Sequence, residues 1–212
     1  MIDYRQARLR MVETQIARRG ISDVAVLEAM SAVPREAFVP QHLRDYAYED
    51  TAIPIAQGQT ISQPYIVALM ISAANLLPGH KVLEIGTGSG YAAAVLAEIT
   101  GRVVSIERLP VLADAARKRL QRLGYANVSV IFGDGTRGHE AGAPFDAILS
   151  AAGSRTVPPA WKQQLSIDGR LLMPLGPLGY QRLVRIVRQA DDDFPEESLA
   201  DVRFVPLISG SA

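Results

Sequence analysis

The sequence KVLEIGTGSGY, residues 81–91, joins five strand-forming residues to the start of a helix through a turn with three glycines. Glycine adopts backbone conformations that other residues avoid, and the free amides at the start of the following helix can face an anionic group. Tyr91 stands where the dinucleotide fingerprint G-x-G-x-x-G has its third glycine. The observed spacing, G-x-G-x-G, therefore favours S-adenosylmethionine over NAD, with a tight turn that binds no ligand as the alternative.

Strand and helix patterns alternate from Lys81 onward. The predicted strands are KVLEI, RVVSI, NVSVIF, FDAILS and RLLMP, followed by two more over Arg182–Arg188 and Val202–Leu207. Between these last two lies an acidic run, 191–193, which we expect to be an exposed turn. The predicted helices are Tyr91–Ile99, Leu112–Leu123 and Pro159–Leu165. This alternation predicts an α/β fold with a doubly wound, mainly parallel sheet and helices on both faces.

The first third of the chain has a mainly helical pattern. Apolar spacing predicts one helix from Asp3 to Arg19, stopped by Gly20, and a second from Ser22 to Met30 with Ser22 as its cap. A length of 212 residues is that of one domain. We therefore expect a single domain over 1–212, in which an N-terminal helical part, 1–77, is added to a core formed by 78–212.

Composition narrows the classes of function. Basic and acidic side chains balance at 22 each, so no overall field favours nucleic acid or an anionic membrane. The chain has no cysteine, which excludes thiol catalysis and Cys-ligated zinc, and its histidines and acidic residues suggest no metal site. The N-terminus is charged and no apolar run is long enough to span a bilayer. We expect a cytoplasmic monomer without a nucleic-acid or membrane partner.

Acidic residues follow two of the predicted strands. Glu107 ends VVSIE, and Asp134 stands between Gly133 and Gly135 after VSVIF. The carboxyl ends of parallel strands meet at one edge of a sheet, where ligands bind in open α/β folds. Glu107 is therefore predicted to accept hydrogen bonds from ribose hydroxyls, and Asp134 from an adenine amino group. A solvated strand end and an ordinary β-turn are the alternatives.

Seven motifs run along the chain in the order AVPREAFVP, GQTISQPYIVA, VLEIGTGSGYAAAVLA, SIER, GDG, APFDAI and VRFVPL. In order and spacing they resemble the bacterial protein-L-isoaspartate O-methyltransferases over nearly the whole chain. The resemblance implies a Rossmann-like S-adenosylmethionine-dependent fold that methylates the α-carboxylate of L-isoaspartyl residues in damaged proteins or peptides, which starts repair through a succinimide. The alternatives are a methyltransferase of this fold acting on another carboxylate and a non-catalytic isoaspartyl-binding adaptor.

The resemblance also implies site residues. S-adenosylmethionine would be held by Ile61, Glu84, Gly86, Thr87, Gly88, Ser89, Gly90, Glu107, Gly133, Asp134 and Gly135. The isoaspartyl substrate would contact Tyr65, Val205, Pro206 and Leu207, with strand-like pairing of an extended peptide beside Val205. The loop Ser150–Arg155 and residue Ile208 depart from the family pattern.

Thr60 and Ser62, in GQTIS, are the predicted catalytic residues. An acceptor carboxylate with a pKa of about 4 is already ionised at neutral pH, so the reaction needs no general base. A neutral hydroxyl can orient such an anion, and an extended segment would place Thr60 and Ser62 on one side with Ile61 on the other. Ser62 before Pro64 also suits a helix N-cap, so a purely structural role is the alternative.

Overall fold

A seven-stranded sheet forms the centre of the chain in a computed structural model that describes residues 2–210. Its strands are β3 (Lys81–Ile85), β4 (Arg102–Glu107), β5 (Val128–Phe132), β6 (Phe145–Ser150), β7 (Leu165–Leu175), β8 (Gln181–Val187) and β9 (Glu196–Val202). Two earlier strands, β1 (Ile53–Pro54) and β2 (Thr60–Ile61), pair with each other in a separate antiparallel sheet. The helices are α1 (Tyr4–Met11), α2 (Val24–Ala32), α3 (Pro64–Ala73), α4 (Tyr91–Ile99), α5 (Pro110–Arg122) and α6 (Pro159–Gln164). Short 3-10 turns lie between several of them.

The large sheet has the order β5-β4-β3-β6-β7-β8-β9. The first five strands in this order, β5, β4, β3, β6 and β7, run parallel to one another. Helical crossovers connect most of them, as parallel pairing requires. β8 and β9 add two antiparallel strands at one edge. The strand order reverses at β3, which has β4 on one side and β6 on the other, and this reversal places a crevice at the carboxyl end of β3. The predicted doubly wound α/β fold is confirmed.

Side chains of the central strands point alternately into two hydrophobic clusters. Val82 and Ala147 belong to one cluster, whereas their neighbours Leu83 and Ile148 belong to the other. Because successive strand residues face opposite sides of a sheet, the two clusters cover its two faces. The first cluster also contains the buried residues of α1 to α4, so the N-terminal helices and the sheet share one continuous core. The division at residue 77 stays a prediction.

The N-terminal segment differs from its prediction in two details. α1 is followed by a π-helical turn over Val12–Ile16 and a 3-10 turn over Ala17–Arg19, and Gly20 ends the segment with φ +95° as expected. The second helix is capped by Asp23 and not by Ser22, since the Asp23 carboxylate accepts a hydrogen bond from the amide of Val26. None of the helices within residues 2–210 has the length and apolar character needed to cross a membrane.

The prediction of a last strand over Val202–Leu207 is wrong. β9 ends at Val202, where the β8–β9 hairpin register also ends, and the acidic run 191–193 is the exposed turn region between these strands. After Val202 the chain leaves the sheet edge and makes only a short bridge between Pro206 and Gly153. Pro206 has no amide hydrogen to donate to a ladder. The segment therefore runs across the carboxyl ends of the strands.

Candidate active site

The glycine turn after β3 has a backbone that requires glycine. Gly86, Gly88 and Gly90 have φ values of +91°, +54° and +88°. The amide of Gly86 donates to the carbonyl of Ile106 at 2.8 Å, which fixes the turn to the neighbouring strand β4. A Cβ at Gly90 would lie 3.2 Å from Leu120 Cδ1, whereas one at Gly86 or Gly88 would make ordinary contacts, with Ala151 Cβ at 3.4 Å or Ile55 Cδ1 at 3.7 Å, and both of these glycines line the cavity. The turn thus exposes bare backbone to a ligand.

Glu107 ends β4 beside this turn and is 5% exposed. One carboxylate oxygen accepts a hydrogen bond from the amide of Gly88 at 2.8 Å, and the other accepts one from the amide of Leu109 at 3.0 Å. A carboxylate oxygen has two lone pairs, so each retains acceptor capacity. Glu107 therefore ties the glycine turn to the start of α5 and keeps a negative group at the crevice.

Glu84 lies on β3 in a buried chain of hydroxyls. Ser105 Oγ donates to the Glu84 carboxyl, and the hydroxyls of Ser105 and Thr87 are 2.5 Å apart. Burial raises the pKa of Glu84 to about 8, despite the opposing hydrogen bond from Ser105. A small cavity of about 30 Å³ separates Glu84 from Ser62, large enough for one water molecule.

The Asp134 carboxylate accepts hydrogen bonds from other residues of the chain. One carboxylate oxygen accepts hydrogen bonds from the amide and the hydroxyl of Thr136 at 2.9 and 2.7 Å, and the other accepts one from the amide of Gly210 at 2.7 Å. Desolvation raises the pKa of Asp134, but these hydrogen bonds outweigh it and hold the pKa below its ordinary value. A contact with an adenine amino group stays a prediction. Gly135 lines the crevice, where a Cβ would lie only 2.5 Å from Ile85 Cγ2.

A cavity of about 1430 Å³ opens at the carboxyl ends of the strands and is lined by two sets of predicted residues. The cofactor set contains Gly86, Gly88, Glu107 and Gly135, with Ile106, Arg108, Leu109 and Ala151 also in the lining. The catalytic and substrate set contains Thr60, Ser62, Val205, Pro206 and Leu207. The structure therefore brings the glycine turn and the GQTIS segment, which are distant in sequence, to one cavity.

The GQTIS segment presents its two hydroxyl residues to the cavity as predicted. Thr60 and Ser62 line it, whereas the Ile61 side chain is 4% exposed and packs in the core. The predicted capping role of Ser62 is wrong: α3 begins at Pro64 and Gln63 occupies the N-cap position. Proline at the first helical position makes the preceding residue the cap. The carbonyl of Ser62 instead accepts a hydrogen bond from Arg35 at 2.8 Å.

Several other predicted site residues lie behind the cavity wall. The Tyr65 ring packs against Arg19, whose guanidinium carbon is 3.5 Å from the ring centroid, and Tyr65 does not line the cavity. Thr87, Ser89 and Gly90 support the turn from the interior, and Gly133 precedes the lining residue Gly135. These residues can shape the site through the backbone, and their predicted ligand contacts stay predictions.

The segment 203–208 and the loop Ser150–Arg155 hold each other in place. Gly153 donates its amide to the Val205 carbonyl at 2.8 Å and accepts the Leu207 amide at 2.7 Å. A Cβ at Gly153 would lie 2.2 Å from Gln181 Nε2, so a larger residue there would displace the Gln181 side chain, whose Oε1 accepts the amide of Phe204. Ile208 is 46% exposed at the cavity rim. The loop Ser150–Arg155 and Ile208, which depart from the family pattern, therefore both lie at the cavity. The loop is also hydrogen-bonded to the predicted substrate segment.

Part of the cavity wall was not predicted from the sequence. The loop between β7 and β8 lines the cavity, and its side chains Leu178 and Tyr180 are 68% and 84% exposed. Asp50, Thr51 and Ala52 line the same cavity. The β7–β8 loop could have been found from its sequence GPLGY, in which two large apolar side chains stand among turn residues. The segment 50–52 has no comparable pattern.

The fold and the arrangement around the crevice are those of Rossmann-like methyltransferases of the S-adenosylmethionine-dependent class. In agreement, the structure is similar to that of a Plasmodium falciparum protein-L-isoaspartate O-methyltransferase in complex with S-adenosyl-L-homocysteine. The TM-score is 0.82 at 26% identity, and the match covers 95% of this chain and 98% of the other.

Residues 6–212 match the sequence profile of the protein-L-isoaspartate(D-aspartate) O-methyltransferase family. Protein-L-isoaspartate O-methyltransferase 1 of Rhodopseudomonas palustris strain HaA2 is 58% identical, with 95% of this chain and 82% of the relative covered. A protein of the same name from Rhodopseudomonas palustris strain ATCC BAA-98 / CGA009 is also 58% identical, with coverages of 93% and 91%. The chain belongs to the protein-L-isoaspartate(D-aspartate) O-methyltransferase family.

Proposed function

We propose that this chain methylates the α-carboxylate of L-isoaspartyl residues in damaged proteins or peptides and so starts their repair through a succinimide. The observation that carries the proposal is that both sets of predicted residues line one cavity. Gly86, Gly88 and Glu107 line it together with the hydroxyl residues Thr60 and Ser62. Two reactants held in one cavity gain rate from proximity and orientation.

The residues of the cofactor set fit S-adenosylmethionine. Two glycines without side chains leave their backbone open to the ligand, and Glu107 offers acceptor capacity for ribose hydroxyls. The cofactor, when bound, supplies an electrophilic methyl group. Glu107, Gly86, Gly88 and Gly135 would hold it, with Ile106 and Leu109 as apolar walls.

The residues of the catalytic and substrate set suit an anionic acceptor. The carboxylate is ionised at neutral pH, so orientation is the task of the protein, and Thr60 and Ser62 can donate hydrogen bonds to it without the full charge of a salt bridge. The methyl ester carries a better leaving group than a carboxylate, so the next backbone nitrogen of the substrate can attack the ester carbonyl, release methanol and close a succinimide without the enzyme.

The open mouth of the cavity suits a segment of polypeptide. Leu178 and Tyr180 are exposed there beside Val205, Pro206 and Leu207. The Val205 carbonyl and the Leu207 amide already bond to Gly153, so we propose that this segment contacts the peptide mainly through side chains and less through the ladder pairing predicted above. The proposal also includes one domain, a monomeric state, a cytoplasmic location and no nucleic-acid partner.

The test is methyl transfer from labelled S-adenosylmethionine to two matched peptides that differ only in an isoaspartyl or an aspartyl linkage. We expect label in the isoaspartyl peptide alone. Label in neither peptide, in a preparation that binds S-adenosylhomocysteine by calorimetry, would contradict the proposal and favour the adaptor. Label in small carboxylates but not in the isoaspartyl peptide would favour another acceptor.

A further inference from the structure

Arg35 is a fully buried arginine between the N-terminal helices and the cavity wall, with 0% exposure. Its Nε donates to the carbonyl of Ala47 at 2.7 Å, and its Nη2 donates to the carbonyl of Ser62 at 2.8 Å. Its guanidinium carbon lies 4.7 Å from the centroid of the Tyr91 ring. One planar group thus contacts three separate segments of the chain.

Among the residues that the structure describes, none serves as a counter-ion for the charge of Arg35. Within residues 2–210 no carboxylate forms an ion pair with it, and its Nη1 has no hydrogen-bond partner. The adjacent Glu36 is bound instead by Arg8, at 3.5 Å, and by the Tyr48 hydroxyl. Burying a charge without an opposite charge costs free energy that apolar packing would not. Such a residue is better explained by what it positions than by its contribution to stability.

Arg35 connects the hydroxyl segment to the glycine turn. Ser62 lines the cavity, whereas Tyr91 lies behind its wall, as the first residue of α4 and directly after Gly90 of the glycine turn. In the described part of the chain, the Ser62 hydroxyl makes no hydrogen bond, and β2 before it has only two residues. The bond from Arg35 to the Ser62 carbonyl is therefore the polar contact that fixes this residue.

We propose that Arg35 is a positioning residue for methyl transfer. By holding the Ser62 carbonyl while it packs on the Tyr91 ring at the start of α4, it sets the direction of the Ser62 hydroxyl toward the acceptor carboxylate. This inference rests on the proposed function. Misplacement of an orienting group by about 1 Å can lower a rate about a hundredfold, so loss of this bond reduces kcat more than ligand affinity.

The test is a double-mutant cycle of Arg35→Lys and Ser62→Ala. An ammonium keeps the charge but lacks the planar fork that reaches two carbonyls at once. Arg35→Lys alone is expected to lower kcat for the isoaspartyl peptide about ten- to hundredfold, while the Kd for S-adenosylhomocysteine changes less than about threefold. In the Ser62→Ala background, Arg35→Lys should lower kcat by less than about threefold, since the group it positions is gone.

The matched control is Met30→Ala, which removes a fully buried side chain of α2 away from the cavity. We expect it to lower the Tm and to leave kcat within about twofold of wild type, because a core cavity destabilises the fold without moving Ser62. The inference would be overturned if Arg35→Lys lowered the Tm but not kcat, the pattern expected of Met30→Ala. It would also be overturned if the kcat losses of Arg35→Lys and Ser62→Ala multiplied in the double variant.

If Arg35→Lys does not fold, Tyr91→Leu takes its place in the cycle. It keeps the guanidinium but removes the ring against which the guanidinium packs, so the bond to the Ser62 carbonyl is less well held. Tyr91→Leu should therefore lower kcat by at least about threefold, though less than Arg35→Lys, and should lower it no further in the Ser62→Ala background. Multiplying losses or an unchanged kcat would again overturn the inference. Wild-type protein that methylates no isoaspartyl peptide would instead overturn the proposed function, on which the inference depends.

Discussion

The carboxylate of Glu107 accepts a hydrogen bond from the amide of Gly88 at 2.8 Å, so the end of β4 and the glycine turn after β3 form one unit. Because the other oxygen accepts the Leu109 amide, the same side chain also fixes the start of α5. A group that holds the backbone of the turn and faces the crevice should affect ligand binding and stability together.

Glu107→Gln should therefore weaken S-adenosylhomocysteine binding by at least about tenfold, since hydrogen bonds to a charged group contribute about 1.5–3 kcal/mol. An amide has only one acceptor oxygen, so it cannot accept from both backbone amides. Calorimetry gives the Kd and thermal unfolding the Tm. The control is Glu140→Gln, an exposed acid away from the cavity, and equal Kd values for the two variants would contradict the assignment.

Ser62→Ala should lower kcat about ten- to hundredfold and leave the Tm within about 1 °C, because Ser62 is not the cap of α3. Loss of a real N-cap would cost about 1 kcal/mol of stability. Steady-state kinetics with an isoaspartyl peptide and thermal unfolding measure the two effects. Ser72→Ala, on the same helix, should change neither. A lower Tm with normal kcat would restore the capping role and remove the catalytic one.

The buried carboxyl of Glu84 should make stability depend on pH. It ionises near 4.5 in the unfolded chain, whereas burial raises its pKa to about 8 in the folded chain. Between these values the folded state binds more protons, so the free energy of unfolding falls as pH rises, by at most about 1.4 kcal/mol per pH unit. This contribution is fully present below the unfolded pKa and is lost as pH rises through the folded pKa.

Glu84→Gln removes the titrating group and leaves an oxygen that Ser105 can still donate to. We expect a flatter pH dependence of stability, with the variant gaining on wild type between about pH 5 and about pH 8 in urea unfolding experiments. Glu140→Gln should retain the wild-type slope. Parallel slopes for wild type and Glu84→Gln would show that Glu84 is not the group responsible.

Gly90→Ala and Gly124→Ala make a matched pair. Both glycines have a φ close to +88°, which costs other residues about 1–2 kcal/mol. An added Cβ meets Leu120 Cδ1 at 3.2 Å from Gly90 and nothing within 4 Å from Gly124. Both variants should lose stability in urea unfolding, Gly90→Ala more, and only Gly90→Ala should weaken S-adenosylhomocysteine binding. Equal effects would mean that contact with α5 does not shape the turn.

Local patterns correctly predicted the elements whose signals lie in neighbouring residues. Tyr91–Ile99 is α4 as predicted, and α5 starts two residues before its prediction because Pro110 can begin a helix. The caps at Ser22 and Ser62 were wrong because a better cap, Asp23, and a helix-starting proline, Pro64, lay one and two residues further on. The last strand was misplaced because its limits depend on the register with β8, which is a contact between distant residues.

The sequence by itself determined the α/β class, the glycine turn and the two hydroxyls of GQTIS, because strand alternation, glycine spacing and side-chain chemistry are local properties. Only the tertiary structure decided that Ser62 is fixed through its carbonyl by Arg35 and that Gly153 bonds the segment at Val205. It also decided that Asp134 is bound by Gly210. Each of these contacts joins residues far apart in the chain, so no spacing in the sequence encodes it, and only close packing of the whole domain brings the partners together.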